Sequence, residues 1–352
     1  LTLIVKQRNK MAKVFIHFGP PKTGTSAIQK WLLENRDVLK TKRIYYPEHG
    51  TDKNGISSGN AMSIFKNPKD DKLKQARPNK LKLKEQCREN NCNTLLLSSE
   101  MFMRKLPELA TLFPNAQFIG YIRPPFELLE SDYNQVVKRH GETKLFSENS
   151  RSAMWQLDML RPLINDIGVE RFTLRAYSPS AYVGQSLVKD FLHTLNPALS
   201  DLAEIDAVKG VNPSYTLEAL EIRRWLNQFD IEPNIGRQID KHLQSISTGT
   251  RSYSLIPVDE FAAHKQSSID ALTAFNDDYP IESFDSLIED ITNKKQQNYY
   301  EQTLTNVDFT QIVTSIIKSI PESKAAFANL KGKISGQMFS TERINLIEEL
   351  IK

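Results

Sequence analysis

Cysteine and glycine are scarce in this chain of 352 residues, and long apolar runs are missing. The sequence holds two cysteines and 14 glycines, and no run approaches the roughly 20 apolar residues that a helix needs to cross a bilayer. These absences exclude a disulfide scaffold, a collagen-like repeat and a membrane-spanning helix. What remains is an ordinary globular composition, with 39% hydrophobic and 25% charged residues, long enough to bury a substantial core.

The two cysteines and residues 1–10 indicate the cellular compartment of the protein. Cys87 and Cys92 lie in the polar run QCRENNC without further metal ligands nearby, so we expect two reduced thiols and no metal site. Residues 1–10 resemble an untidy leader before Met11 and do not have the long apolar stretch of a secretory signal. We therefore expect a cytoplasmic protein.

Positive charge is concentrated in the first quarter of the chain. Residues 1–90 hold 20 Lys and Arg against 8 Asp and Glu, whereas the whole chain carries a net charge of +4. A basic region favours anionic ligands. The lysine run 66–84 is either a solvated face or a landing surface for an acidic acceptor such as a polyanionic glycan. Basic and aromatic residues are not interleaved and no zinc pattern occurs, so we expect no nucleic-acid partner.

The hydrophobic pattern predicts an α/β fold with a central parallel sheet flanked by helices. Short apolar runs predict buried parallel strands, at residues 14–18, 94–98, 118–122 and 172–176. Helical spacing of apolar residues separates them, at residues 26–39, 126–138 and 180–195. Strands that alternate with helices indicate a sheet covered on both faces. Beyond residue 210 only helical patterns follow, at residues 217–229, 235–245, 257–275, 308–319 and 340–351.

This pattern predicts two regions. Residues 11–215 form the α/β core, and residues 216–352 form a helical region that packs on the core and helps to build an acceptor site. An independent C-terminal domain is the alternative. The oligomeric state is not readable from the sequence.

The segment KVFIHFGPPKTGTSAIQKWL has the pattern strand, turn, helix. At such a turn the backbone N–H groups and the positive end of the helix dipole bind an anion. Glycines permit the sharp turn, hydroxyl groups cap the helix, and a lysine adds a point charge. These residues are Lys22, Thr23, Gly24, Thr25 and Ser26. The segment is not a Walker A loop, because that motif places Lys directly after its last Gly.

A second motif, RPPFELLESDYNQ, follows the predicted strand 118–122. Arg123 stands at the carboxyl end of that strand, where ligands of open α/β sheets bind. Ser131 lies eight residues later on a predicted helix. An arginine fork matches the geometry of a phosphate group.

Taken together, the order P-K-T-G-T-S and the pair Arg123 and Ser131 resemble the sulfotransferases that use 3′-phosphoadenosine-5′-phosphosulfate (PAPS). The resemblance covers roughly residues 13–215 and is closest in style to the glycan-type members, although Pro124 stands where family members often have Asp. It implies a P-loop-like fold, the first motif as the 5′-phosphosulfate loop, and Arg123 with Ser131 as a 3′-phosphate clamp. It implies no metal. Lys209, before Gly210, corresponds to a basic loop that often closes over the nucleotide.

Glu100 is the candidate general base. The predicted strand 94–98 delivers it to the same carboxyl edge of the sheet, and a carboxylate in an enclosed site can accept the acceptor's proton. In the cytosolic sulfotransferases a His stands on the corresponding strand end, 23 residues before the clamp Arg, which is the spacing of Glu100 from Arg123. Alternatively, Glu100 pairs with Lys22 or Arg123 and only orders the site, or it caps the following helix.

Other residues complete the hypothesis. His49 and His17 are rival bases, although His17 lies inside a strand and is better explained as a core histidine. His49 and Asn60 are candidate acceptor contacts. The expected function is sulfuryl transfer from PAPS to a hydroxyl or amine acceptor, with a carbohydrate as the leading candidate. The alternatives are a phosphotransferase with a degenerate P-loop, which would use Glu100 as a metal ligand, and an inactive nucleotide- or glycan-binding module.

Overall fold

The structure, a computed structural model, describes residues 13–51, 57, 59–65, 73–148, 152–203, 215–330 and 341–352. The chain divides into two compact units that are not continuous in sequence. The first unit takes in Leu1–Pro125, Met154–Val211 and Ser268–Asn293, and the second takes in Phe126–Ala153, Asn212–Ser267 and Lys294–Lys352, as far as these residues are described. The expected division of the chain near residue 215 stays a prediction.

A parallel sheet of six strands forms the centre of the first unit, in the order β2-β3-β1-β4-β5-β6. The strands are β1 (Lys13–His17), β2 (Ile44–Tyr45), β3 (Thr94–Ser98), β4 (Ala116–Ile122), β5 (Phe172–Ala176) and β6 (Ile281–Glu282). The strand order reverses at β1, because β3 and β4 lie on its two sides. In open parallel sheets this reversal is where ligands bind, beyond the carboxyl ends of the strands.

Helices flank the sheet in the first unit, and other helices form the second unit. They are α1 (Thr25–Glu34), α2 (Arg36–Thr41), α3 (Leu73–Glu89), α4 (Leu106–Leu112), α5 (Pro125–His140), α6 (Trp155–Ile167), α7 (Leu187–Leu195), α8 (Leu217–Leu226), α9 (Pro233–Ser245), α10 (Val258–Asp278), α11 (Phe284–Asn293), α12 (Asn306–Ser319), α13 (Ser323–Ala328) and α14 (Thr341–Ile351). The expected α/β class, a parallel sheet with flanking helices and a helical C-terminal region, is confirmed.

The four longer strands match the predicted apolar runs to within two residues at each end. They form where predicted because each run is buried; in β3, for example, Leu95, Leu96 and Leu97 are completely buried. On one face of the sheet, Leu96, Ile119 and Tyr121 pack against α1 and α7. Burial of this kind stabilises the fold by about 1.5–3 kcal/mol for each large apolar side chain.

The structure adds two strands that the sequence did not predict. Strands β2 and β6 contain two residues each and extend the sheet at its two edges. A strand this short shows no alternation that could be detected, so its pairing depends on the neighbouring strand. The helix predicted over residues 26–39 is interrupted at Asn35, whose side-chain Nδ2 donates to the carbonyl oxygen of Trp31 at 2.9 Å.

The lysine run is partly helical. Helix α3 buries Ala76, Leu83 and Cys87, which lie seven and four residues apart on one face, and it contacts β2 and β3. Lys82 is exposed. The two interpretations of the lysine run, a solvated face and a surface for an acidic acceptor, stay predictions. Both cysteines are buried.

The second unit has a core of its own. Trp225 lies on α8 and is completely buried, with its ring against those of Phe229 and Phe309, at centroid distances of 4.8 and 5.0 Å. Arg224 and Glu221, one turn apart on α8, form a buried ion pair. The unit is helical in all its described elements.

A substitution at Gly120 tests the packing of side chains against the sheet. A Cβ atom there would lie 2.2 Å from Cζ of Phe18, a completely buried side chain. We expect Gly120→Ala to destabilise the protein by about 1–3 kcal/mol through overpacking. The matched control is Gly236→Ala on α9, where a Cβ meets no atom within 4 Å, and which should stabilise by roughly 0.5–1 kcal/mol. Thermal unfolding compares the two, and equal effects would contradict the packing described here.

Candidate functional site

The loop between β1 and α1 turns at two residues in the left-handed region. The φ angle is 68° at Lys22 and 71° at Gly24. Glycine adopts this region readily, whereas a lysine there costs roughly 1–2 kcal/mol. The loop is held by the buried Thr23, whose Oγ1 donates to the carbonyl oxygen of Pro20 at 2.5 Å. Such strain, held in place by the surrounding structure, is characteristic of ligand-binding loops.

The loop leads directly into the N-terminus of α1. Gly24 occupies the N-cap position, no side chain caps the helix, and its first turn contains no acidic residue. The positive end of the helix dipole is therefore not compensated from within the helix, as anion sites require. Thr25 is buried and Ser26 is partly exposed in this first turn. A Cβ on Gly24 would lie 2.2 Å from Leu187, so only glycine fits without rearrangement.

Arg123 reaches this loop from the end of β4. Its Nη1 donates to the carbonyl oxygen of Lys22 at 3.0 Å, although the two residues lie 101 positions apart. The guanidinium group also lies over the ring of Tyr177, 5.5 Å from the centroid. Lys22 and Arg123 therefore meet at the carboxyl edge of the sheet, as the sequence led us to expect. Their roles in binding a ligand stay predictions.

Two supporting residues were not identified from the sequence. Gln156 on α6 is buried and donates from Nε2 to the carbonyl oxygen of Pro21 at 2.9 Å. Tyr177, just after β5, lies against Arg123 and close to Gly24. Neither residue belongs to a local motif, because both reach the loop from distant parts of the chain.

Glu100 lies beside this loop. It comes two residues after the end of β3, and its Cα is 3.5 Å from the position of a Cβ on Gly19. Burial raises the pKa of the Glu100 carboxyl, and the nearby Lys22 charge and Thr25 hydroxyl lower that pKa by less. Thr25 Oγ1 has no well-formed hydrogen bond to another described residue, so we treat the Thr25 interaction as proximity. The carboxyl is thus partly buried beside a positive charge.

The capping alternative for Glu100 can be judged from the same geometry. The N-cap of the short 3-10 helix Glu100–Lys105 is Ser99, whose Oγ accepts from the backbone N–H of Met101 at 3.2 Å. Glu100 is the first residue of that helix and does not provide its cap. The two interpretations that remain are a general base and a partner of Lys22 or Arg123 that only orders the site.

His17 lies within β1 and is completely buried. Its Nδ1 is 2.8 Å from Ser98 Oγ, and its ring lies 5.0 Å from that of Phe191. Burial lowers the pKa of His17 to about 3, which keeps the ring neutral. These observations favour the core interpretation of His17.

His49 is half-buried, and both of its ring nitrogens have partners. Nδ1 lies 3.2 Å from the carbonyl oxygen of Gly50, and Nε2 lies 3.0 Å from the Tyr46 hydroxyl. Because a carbonyl can only accept, Nδ1 carries the proton and Nε2 accepts from Tyr46. The lone pair that a general base would use is therefore engaged, which favours Glu100. Burial also lowers the pKa of His49.

Asn60 is completely buried beside the end of β3. Its backbone N–H donates to the carbonyl oxygen of Ser98 at 2.9 Å, and its Oδ1 accepts from the Ser98 N–H at 2.9 Å. Because the Ser98 N–H must donate, the orientation of the amide is fixed. Asn60 Nδ2 has no hydrogen-bond partner within the described part of the chain. A contact with an acceptor stays a prediction.

Two further residues, Ser131 and Lys209, were predicted to bind the nucleotide. Ser131 is partly buried on α5 and belongs to the second unit, so its pairing with Arg123 stays a prediction. Lys209 lies outside the described residues.

No group of three or more His, Cys, Asp and Glu side chains that could hold a metal ion occurs among the residues whose positions are described. Within the same residues, no helix is both long and apolar enough to span a membrane.

Comparison with solved structures finds a loose similarity in fold. The structure is similar to the crystal structure of a sulfotransferase from Alicyclobacillus acidocaldarius, with 12% sequence identity and a TM-score of 0.40. The alignment covers 77% of this chain and 97% of that chain. No protein family and no curated protein matches the sequence. A similarity of this extent carries no functional argument, because one fold can support many activities.

The raised pKa of Glu100 predicts how stability depends on pH. The folded protein holds this proton to a higher pH than the unfolded chain, so the carboxyl destabilises the fold increasingly as the pH rises from below 4.5 through the folded pKa. We expect Glu100→Gln to have a higher melting temperature than the wild type at pH 7.5, and the difference to shrink towards pH 4. Thermal unfolding across this range measures it. A difference independent of pH would contradict the burial of the carboxyl.

Proposed function

We propose that this protein is a sulfotransferase that transfers a sulfuryl group from PAPS to a hydroxyl or amine group, with a carbohydrate as the leading acceptor. The observation that supports this most directly is the contact of Arg123 with the Lys22 carbonyl oxygen, at 3.0 Å. It brings two cationic residues and the uncapped N-terminus of α1 to the same edge of the sheet. An anion with several charged groups, such as a nucleotide, fits these residues.

The residues of the loop would bind the 5′ end of the donor. When bound, PAPS supplies an activated sulfuryl group joined to a phosphate. The N–H groups at the start of α1 and the Lys22 ammonium would stabilise negative charge on these groups, as preorganised electrostatic groups do. Lys22 would stabilise the negative charge that develops on the donor's bridging oxygen as its bond to sulfur breaks.

Arg123 would bind the 3′-phosphate, and Ser131 would assist it. Lys22 follows β1 and Arg123 follows β4, so residues at the ends of two different strands would bind the two ends of the donor. Binding energy from the 3′-phosphate would then align the sulfuryl group with the acceptor.

Glu100 would accept the proton of the acceptor hydroxyl as its oxygen attacks sulfur. The carboxyl lies beside Lys22, so a base at this position is next to the group that would bind the sulfuryl oxygens. Its raised pKa increases its basicity, and it must be ionised to act. We therefore expect the rate to rise with pH through the pKa of Glu100.

The nucleotide site is tested by calorimetry with 3′-phosphoadenosine 5′-phosphate in the absence of metal. We expect Arg123→Ala to weaken binding at least about tenfold, because it removes charge-assisted hydrogen bonds worth roughly 1.5–3 kcal/mol. Arg123→Lys should give an intermediate loss, because it keeps the charge without the fork. The control is Arg88→Ala, an exposed arginine at the end of α3, which should bind as the wild type does.

Two results would contradict this assignment. If Arg123→Ala bound the nucleotide as tightly as the wild type, Arg123 would not form the clamp. If the wild type bound ATP with Mg²⁺ in preference to the 3′-phosphorylated nucleotide, the alternative of a phosphotransferase would replace the proposal.

Catalysis is tested with radiolabelled PAPS and a panel of oligosaccharide acceptors. We expect Glu100→Gln to lower turnover by roughly 10²–10⁴-fold while nucleotide affinity stays the same or increases, since a negative charge beside an anion site is removed. Lys22→Ala should also abolish turnover. If Glu100 only orders Lys22, Glu100→Gln would weaken nucleotide binding instead. Nucleotide binding without any sulfate transfer by the wild type would favour an inactive binding module.

A further inference from the structure

A polar cavity of about 490 Å³ lies in the first unit, away from the loop that holds Lys22. It is lined by residues of α2, the end of β2, the 3-10 helix Ala61–Ser63 and α3. This volume is within the range of small-molecule binding sites. Neither the proposed nucleotide site nor the general base uses it.

The lining of the cavity is positively charged. Arg36, Lys40 and Lys82 contribute three cations, and Glu48 is the one carboxylate among the described residues that line the cavity. Glu48 contacts Arg36 Nη1 at 2.9 Å, and Arg36 Nε has no hydrogen-bond partner among the described residues. Lys40 pairs with the highly exposed Asp37 at 3.0 Å, and a pair of this kind contributes little. The cavity therefore favours an anion.

Amide side chains in the same cavity are held in fixed orientations. Asn79 Nδ2 donates to the carbonyl oxygen of Ile64, and Asn90 Nδ2 donates to that of Gln86, both at 2.8 Å. The Oδ1 atoms of these two amides can accept hydrogen bonds from a ligand's hydroxyl groups. Tyr45, which also lines the cavity, adds an aromatic ring. A sugar ring offers hydroxyl groups and apolar C–H faces that match such a lining.

We propose that this cavity binds an acidic sugar, a ring that carries a carboxylate or a sulfate, and that this sugar is part of the acceptor. The cavity by itself supports binding of the acidic sugar; its role as part of the acceptor rests on the proposed function. Tyr46 connects the two places: it lines the cavity, and it contacts the Ser98 side chain, two residues before Glu100. Burial raises the pKa of Tyr46, and the hydrogen bond with Ser98 lowers that pKa by less. An acceptor anchored in the cavity would be bound next to the strand that carries the base.

Calorimetry at low ionic strength tests the binding. The probe is a tetrasaccharide of alternating N-acetylglucosamine and glucuronic acid, with its carboxyl-reduced and its sulfated forms as the other arms. The variant Lys40→Gln/Lys82→Gln removes two cations from the cavity. The control Lys30→Gln/Lys42→Gln removes two exposed lysines that do not line it, so the net charge of the two proteins is equal.

We expect the cavity variant to bind the acidic tetrasaccharide about tenfold more weakly than the wild type, and the control to stay within about twofold. The carboxyl-reduced form should bind the wild type about tenfold more weakly as well. The ratio between the sulfated and the carboxylated forms distinguishes the two anions. Melting temperatures of both variants establish that they are folded.

Three outcomes would overturn the proposal: no binding of either acidic tetrasaccharide, equal losses in the cavity variant and the control, or equal binding of the carboxyl-reduced form. An oligothymidylate bound with the same dependence on Lys40 and Lys82 would instead identify a nucleic-acid surface. The cavity variant should bind 3′-phosphoadenosine 5′-phosphate as the wild type does. If the wild type binds the tetrasaccharide through the cavity but not this nucleotide, the proposed function fails and the saccharide site stands.

Discussion

The hydrogen bond from Arg123 Nη1 to the Lys22 carbonyl oxygen, at 3.0 Å, joins the end of β4 to the loop that follows β1. The backbone of Lys22 is left-handed, and the strain of that conformation has to be held by other contacts. Thr23 and Gln156 provide such contacts on either side of it. The arrangement of the cationic edge depends on this set of bonds, because without them the loop could relax to a more common conformation.

The same loop influences the pKa of Glu100. Burial raises its pKa, and the Lys22 charge lowers it by less, so a carboxyl that can act as a base is kept close to a cation that can bind an anion. The two proposed functions require opposite conditions: a base benefits from enclosure, whereas an anion site benefits from positive charge. Parallel strands reconcile them, because β1, β3 and β4 end at one edge.

A layer of buried polar side chains supports the end of β3. Ser98 contacts His17 through its hydroxyl and Asn60 through its backbone, and His49 and Tyr46 continue the layer towards the edge strand β2. Asn60 takes the place beside β3 that a longer β2 would occupy. Buried polar groups are costly unless they are paired, so these contacts fix the position of the strand end that carries Glu100.

The sequence by itself determined the parallel sheet, its four longer strands, the loop at Lys22 and the positions of Arg123 and Glu100 at strand ends. These features are local: an apolar run or a glycine-containing turn carries its own signal within ten residues. Only the tertiary structure decided which side chains meet. Strands β2 and β6 are too short for a pattern, and Gln156, Tyr177 and Asn60 reach the site from distant segments. The cavity lined by Arg36, Lys40 and Lys82 likewise combines three elements. Such contacts depend on how strands and helices are arranged in space, because packing, and not local spacing, brings distant residues together.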